Sequence, residues 1–287
     1  MSETAKPRSE LRDAATSLLP DGPRRCIFCG ERPLTREHVW PTWLAADLKQ
    51  RGFRVEPAPE DAQQNEWFGV SMDRREVMQE IERRGKTPPL TALISRTVCA
   101  TCNNGWMHRL EDAVRTPLLA LSREEDASFI ASDLRTIGAW AVKTAIMWNA
   151  QEPASLGWTS REIAEFGATQ VPPVGTSVAV ARWPHKDAQG PSSVGGQYTL
   201  PEGSGRIGIA VLLVGHAALL VRSTSTPSIA KYLPTIDKRW TTIWNPLPRV
   251  LSWRRHRVPT TLDFVRGVTE PVALPDSRKL RPAQRLR

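Results

Sequence analysis

No stretch of this chain approaches the run of about 20 apolar residues that a membrane-spanning helix needs, so no membrane partner is expected. The first 25 residues, MSETAKPRSELRDAATSLLPDGPRR, lack the apolar core of a secretory signal, and a cytoplasmic location is the expectation. Internal repeats are also missing, which sets aside solenoids and propellers. Cysteine is scarce: four in 287 residues, with none left outside a pair. Acidic residues are outnumbered, 30 against 39 Lys and Arg. The resulting net charge of +9 and pI near 9.9 suit a polyanionic partner.

What is present is the composition of a globular protein, 40% hydrophobic and 24% charged. The length exceeds that of a typical single domain, so two domains are expected. The basic residues are unevenly spread. RKLRPAQRLR at the C-terminus has five basic residues and no acid, and a disordered tail is expected at 276–287, as is a flexible N-terminus at 1–23. RVLSWRRHR (249–257) reads either as a solvated surface strand or as a phosphate-contacting face. In the second case Arg254, Arg255 and Arg257 would meet phosphates, and Trp253 or Arg254 would stack on a base.

The cysteines form two CxxC pairs, Cys26/Cys29 in CIFC and Cys99/Cys102 in CATC. In a reducing compartment such paired knuckles read as a tetrahedral Zn²⁺ site and not as disulfides. A thioredoxin-like redox motif should follow a strand, open a helix and stand alone; two copies argue for metal. Four thiolates leave no open position, so the zinc would be a structural staple. The 69 residues between the pairs are long for a plain ribbon and imply an insertion, at about 53–98.

Around the knuckles, LTREHV (34–39) reads as a strand ended by Pro41, and WLAADLKQRG as a short helix stopping at Gly52. Within the insertion, 73–86 has a helical pattern. The second knuckle leads into a helix with Trp106, Leu110, Ala113 and Val114 as its apolar stripe and Asn103 or Asn104 as N-cap. A further helix is expected at 132–149, with Leu134, Ile137, Ala141, Thr144 and Trp148 on one face. Lys143 on that helix reads as a surface lysine or a phosphate contact. From about 155 to 275 the chain becomes β-rich, and GHAALLV has the form of a hairpin turning at Gly215-His216. The fold class expected is α+β: a metal-stapled module at 24–150 and a mainly β domain of open role after it.

A first CxxC, then Glu37-His38 at a strand end, then a second CxxC followed at once by Asn103 and a helix, resembles the HNH endonucleases. The phrases CIFCGE…LTREHVWPTWL and VCATCNNGWMHRLE are similar to a bacterial and phage subgroup of that family, over about residues 24–115. The resemblance implies a ββα-metal (His-Me finger) fold with a four-Cys zinc site. It also implies hydrolysis of nucleic-acid phosphodiester bonds, DNA before RNA, leaving 5′-phosphate and 3′-hydroxyl ends. In that reading His38 is the general base, and Glu37 and Asn103 hold one Mg²⁺ or Mn²⁺. An imidazole titrating near neutrality suits the first role, and hard oxygen donors suit the second. Arg36 and His108 flank the motif as candidate nucleic-acid contacts, although His108 equally reads as a surface or packing histidine. The pattern's middle Asn would fall at Ile94, with Ser95 and Arg96 beside it. A lone His38 could also be a half-buried core residue. The alternative function is a non-catalytic zinc-ribbon nucleic-acid-binding protein on the same scaffold; a protein-interaction adaptor is a third.

Overall fold

The computed structural model describes residues 25–53, 94–123, 125–149, 157–184, 190–200, 203–226, 230, 233, 236, 239–246 and 248–253. The expected N-terminal and C-terminal tails, the helix expected at 73–86, nearly all of the expected insertion, and Arg254, Arg255 and Arg257 lie outside the described residues. Within them the protein is α+β, with small antiparallel sheets. No helix among the described residues is long and apolar enough to cross a membrane.

Strand β1 (Leu34–His38) pairs antiparallel with β2 (Ile94–Cys99), from Leu34 opposite Cys99 to His38 opposite Ile94. Helix α1 (Thr42–Gln50) starts directly after Pro41, whose φ of −56° is preset for that position. It buries Leu44, Ala45 and Leu48, and Gly52 at φ +75° releases the chain beyond it.

β2 runs straight into a helical turn, α2 (Ala100–Cys102), then a π-turn (Asn103–Met107) and helix α3 (His108–Ser122). The expected cap is therefore displaced. Cys99 occupies the N-cap, its sulfur accepting the Cys102 N–H at 3.5 Å, while Asn103 already has helical dihedrals, φ −59° and ψ −61°. The kink at Gly105 and the wider π-turn also alter the helix phase. Val114, Leu118 and Leu121 face the core, and Ala113, expected in the stripe, is exposed.

Strand β3 (Ala127–Ile130) leads into α4 (Ala131–Trp148), which falls on the expected helix. One apolar face was expected; instead every residue from Ile137 to Met147 is buried. The cause is its position, with α3 and the main sheet packed against it. A Cβ on Gly138 would sit 3.5 Å from Trp244 Cβ, so helix and sheet meet closely there.

The segment after 155 opens with a helix before any strand, α5 (Ser160–Thr169). Thr159 and Glu162 close a capping box at its start, and Ile163 and Phe166 are its buried face. Five strands follow: β4 (Thr176–Arg182), β5 (Gly190–Leu200), β6 (Gly203–Val214), β7 (Ala217–Thr224) and β8 (Thr241–Trp244). They form one antiparallel sheet ordered β5-β6-β7-β4-β8. Gly215, at φ +58°, makes the expected β6–β7 turn. Both sheet faces are covered, which explains the unbroken apolar runs of β6 and β7. Val178, Val180, Leu212 and Leu219 belong to the main core, while Ala179, Val211, Leu220 and Trp240 form a second cluster behind it.

The main core is continuous from Cys26 and Phe28 through Trp140 to Val178 and Leu219, so the described residues before 150 and those after 156 share apolar packing. Strand β9 (Val250–Trp253) pairs with β3 and alternates exposed and buried residues, Leu251 and Trp253 facing inward. Trp253 is thus no base-stacking platform: it is buried, with the Arg182 guanidinium 5.8 Å above its ring.

Candidate metal centre and the polar site beside it

The two cysteine pairs meet because β1 and β2 pair. The first knuckle is a tight turn, closed by the Gly30 N–H donating to the Cys26 carbonyl at 2.8 Å, with Gly30 at φ +78°. The Ile27 N–H donates to the Thr97 carbonyl at 3.0 Å and ties this turn to β2, where the second pair begins. All four sulfur atoms lie within 4.8 Å of one another, Cys29 Sγ and Cys99 Sγ at 3.5 Å. Tetrahedral Zn–S bonds of about 2.3 Å require sulfurs just under ~4 Å apart, so the thiols fit a metal of that kind. Cys26, Cys99 and Cys102 are buried and Cys29 is exposed. Burial pushes the Cys29 and Cys102 thiols up. Burial acts on Cys99 in the same direction, but the Cys102 N–H and the surrounding thiols outweigh it and hold Cys99 below its ordinary value. A metal bound here would displace thiol protons.

An aromatic wedge locks this centre to the rest of the molecule. Phe28, inside the first knuckle, meets Trp106 edge-on at 5.0 Å, and Trp106 meets Phe166 of α5 at 5.7 Å. Gly167 allows the contact: a Cβ there would stand 2.7 Å from Phe28 Cβ. Trp40 and Trp106 are both core, and Trp40 packs edge-on against Trp140 at 5.9 Å. Trp43 is half-buried beneath Arg115.

One residue beyond Cys102, Asn103 turns its side chain toward β1. Its Nδ2 donates to Thr35 Oγ1 at 3.3 Å, and the Asn103 side chain lies near enough to the Glu37 carboxyl to lower its pKa. Thr35 and Glu37 share a strand face by alternation. Between them the ladder shifts, three steps of β2 (Val98 to Ser95) opposing two of β1 (Thr35 to Glu37). A half-turn of the Asn103 amide would exchange Nδ2 for Oδ1, giving two oxygen donors at one point. Burial raises the Glu37 carboxyl above its ordinary value; Lys143 is the largest charge opposing that rise and Glu111 the largest supporting it.

Of the residues singled out in the sequence, Glu37 and Asn103 are brought together. His38 ends the same strand, half-buried, and alternation turns it from the Glu37 side. Its Nδ1 is buried with no hydrogen-bond partner among the described residues. Ile94 pairs with His38 across the strands, the position where the middle Asn of the HNH pattern would stand, and an isoleucine offers His38 no hydrogen bond. Arg36 is exposed, and His108 is exposed and paired with Asp112 at 3.4 Å.

Two residues of the polar site were misjudged from sequence or passed over. Lys143 is neither a surface lysine nor an open phosphate contact: it is fully buried, and its Nζ donates to Glu111 Oε1 at 2.6 Å. Glu111 carried no sequence signal beyond its place in a helix. The uninterrupted apolar neighbourhood of Lys143, WAVKTAIMW, was the signal that it is buried.

Comparison with known proteins brings no match: no family model, no curated protein and no solved structure matches this chain.

Proposed function

We propose that this protein is a metal-dependent HNH-type endonuclease that hydrolyses nucleic-acid phosphodiester bonds, DNA first, on a zinc-stapled ββα scaffold. The observation that carries the reading is the meeting of Glu37 and Asn103 immediately beside the four-thiol cluster, at the junction of β1, β2 and the helical run. Zn²⁺ is the metal those four thiolates favour, and Cys26, Cys29, Cys99 and Cys102 leave it no open position. Glu37 and Asn103 hold an Mg²⁺ or Mn²⁺, which when bound offsets the charge that builds on the phosphoryl oxygens.

His38 takes the proton from the attacking water, a role that requires the chain to turn at the end of β1, before Pro41, so that Glu37 and His38 serve one site. Its Nδ1 is buried, so the proton would go to Nε2, the other ring nitrogen. The new bond is water oxygen to phosphorus, and the bond to the 3′ oxygen breaks. Arg36, exposed in the middle of β1, contacts the nucleic-acid backbone, with His108 on α3 a second candidate.

One observation favours a second reading. With Ile94 opposite His38, the usual hydrogen-bonding brace of that histidine is missing, as in a zinc-ribbon nucleic-acid binder that does not cut.

The test is nicking of supercoiled plasmid by the zinc-loaded protein with Mg²⁺ or Mn²⁺. His38→Ala should lower the rate roughly hundredfold or more and leave zinc content unchanged. Plasmid that is shifted on a gel but never nicked would replace the nuclease with the binder.

A further inference from the structure

Strands β1 and β2 each set one arginine on the surface of the ribbon that they form: Arg36 and Arg96 are both exposed. His38 opposes Ile94 and Glu37 opposes Ser95, and one more step of that register sets Arg36 directly across from Arg96. The ladder slips only beyond this step, where Thr35 opposes Val98. Ser95 and Thr97 fix which way the arginines face. Their buried hydroxyls meet at 2.6 Å, so both point to the Glu37 side of the ribbon, and Arg96 between them points to the other. Arg36, between Thr35 and Glu37, does the same. The two guanidinium groups therefore share one face, the face that alternation also gives His38.

Like charges directly opposite on neighbouring strands repel and weaken the pairing. A ribbon that only had to bring its cysteines together would gain from a carboxylate at either position. Neither arginine has an ion pair among the described residues. Glu37 is on the opposite face, and Asp47 is held by Arg51 and Arg123. Arg25 and Arg32, both exposed just before β1, add to the positive excess against the single acid Glu31. Two planar, fork-shaped donors left in this way match the oxygens of closely spaced anions, above all phosphates. A nucleic-acid backbone is a row of such anions.

We infer that the Arg36–Arg96 face of the β1–β2 ribbon is where the nucleic-acid backbone docks, each arginine neutralising one phosphate. The inference rests on the nucleic-acid reading above and adds Arg96 and the face to it. It holds for a cutting or a non-cutting protein alike, because neither arginine touches the reacting atoms. Docked there, the backbone passes the end of β1, where His38 stands.

The experiment is fluorescence anisotropy of a short labelled DNA duplex titrated with the zinc-loaded full chain, at several salt concentrations and without Mg²⁺ or Mn²⁺. Loss of one phosphate contact lowers the slope of log affinity against log salt by about 0.9 on duplex DNA. Arg36→Ala and Arg96→Ala should each show that loss and the double variant about twice it. Arg135→Ala, a substitution of an exposed arginine on α4, should leave the slope unchanged. Thermal melts separate binding from folding: with one of two facing like charges removed, Arg96→Ala should keep its zinc and melt no lower than the wild type. Should Arg96→Ala lose zinc, Arg96→Gln decides by the same slope. A slope equal to that of the wild type overturns the inference, while plasmid nicking by the wild type still stands. So does an equal fall in Arg135→Ala, which makes the effect one of bulk charge. Displacement of the duplex by poly-glutamate as readily as by unlabelled duplex assigns the face to an acidic polypeptide and overturns the inference too. A wild type with no affinity for duplex or single strands removes the nucleic-acid reading and the inference with it.

Discussion

The four-thiol cluster and the Glu37–Asn103 site are assembled by the same strand pair, yet they are opposite kinds of centre. The thiols come as two rigid turns, each holding its two sulfurs by local hydrogen bonds, and their pairing across β1 and β2 is enough to close the site. The polar site has no such local frame. Glu37 is placed by a strand, Asn103 by a π-turn, and the charges that govern Glu37 come from α3 and α4. A closed centre of this sort stabilises a fold. An open one, with its acid held above its ordinary value and a histidine nitrogen unpartnered, costs stability, as the proposed catalytic role requires.

The strongest way to break that contrast is to remove the staple. Cys99 is the N-cap of α2 and ends β2, so Cys99→Ser strikes the metal site and the start of the helical run together. Structural zinc sites carry about 10 kcal/mol or more of metal-linked folding free energy. Cys99→Ser should therefore lose its zinc, lose cooperative unfolding in circular dichroism, and lose the Mn²⁺ site too. Glu37→Gln should keep one zinc per chain. If Cys99→Ser kept a cooperative transition, the cluster would not be the staple of this fold.

A smaller effect tests whether the wedge behind the knuckle matters. Gly167→Ala puts a methyl 2.7 Å from Phe28 Cβ and 3.2 Å from the Phe28 carbonyl oxygen. Because one of those neighbours is backbone, the first knuckle or α5 must shift, at about 1–3 kcal/mol for an overpacked core. A thermal melt of zinc-saturated protein should show the loss, with zinc still bound. An unchanged melting temperature would mean that α5 yields freely and does not clamp the knuckle.

The contrast also explains what could be read from the chain. Paired CxxC spacing encodes its own geometry, so the thiol cluster was legible from four letters at fixed intervals. β1, the helices over 42–50 and 132–149, and the Gly215-His216 turn were legible through Pro, Gly and apolar periodicity. Asn103 was found, but the cap expected at Asn103 or Asn104 falls on Cys99, because nothing in CATCNN signals that the helix starts on that sulfur. The α5 helix was signalled by Thr159-x-x-Glu162 ahead of Ile163 and Phe166, and was obscured by the β-rich run that follows it. Lys143 and Glu111 lie 32 residues apart on different helices, and only helix packing makes them a pair. Trp253 likewise became core only through the pairing of β9 with β3.

The smallest expected effect is the most direct test of the open centre. Burial raises the Glu37 carboxyl in the folded chain above the 4.5 of a free one. Between those two values the folded state binds more protons than the unfolded state, so this group makes stability fall as pH rises through the window. Its cost is complete above the folded value, where the buried carboxylate is charged. Glu37→Gln removes the cost. Compared at each pH in zinc-saturated buffer without Mg²⁺ or Mn²⁺, the variant should be more stable than the wild type at about pH 8, and its advantage should shrink toward about pH 5. Zinc release at low pH affects both proteins alike and leaves the difference interpretable. Adding Mn²⁺ at pH 8 should then stabilise the wild type and not the variant, because only the carboxylate holds the cation. A variant less stable than the wild type at every pH, with no response of either to Mn²⁺, would make Glu37 a structural hydrogen-bond partner of Asn103. The two centres would then differ in composition but not in kind.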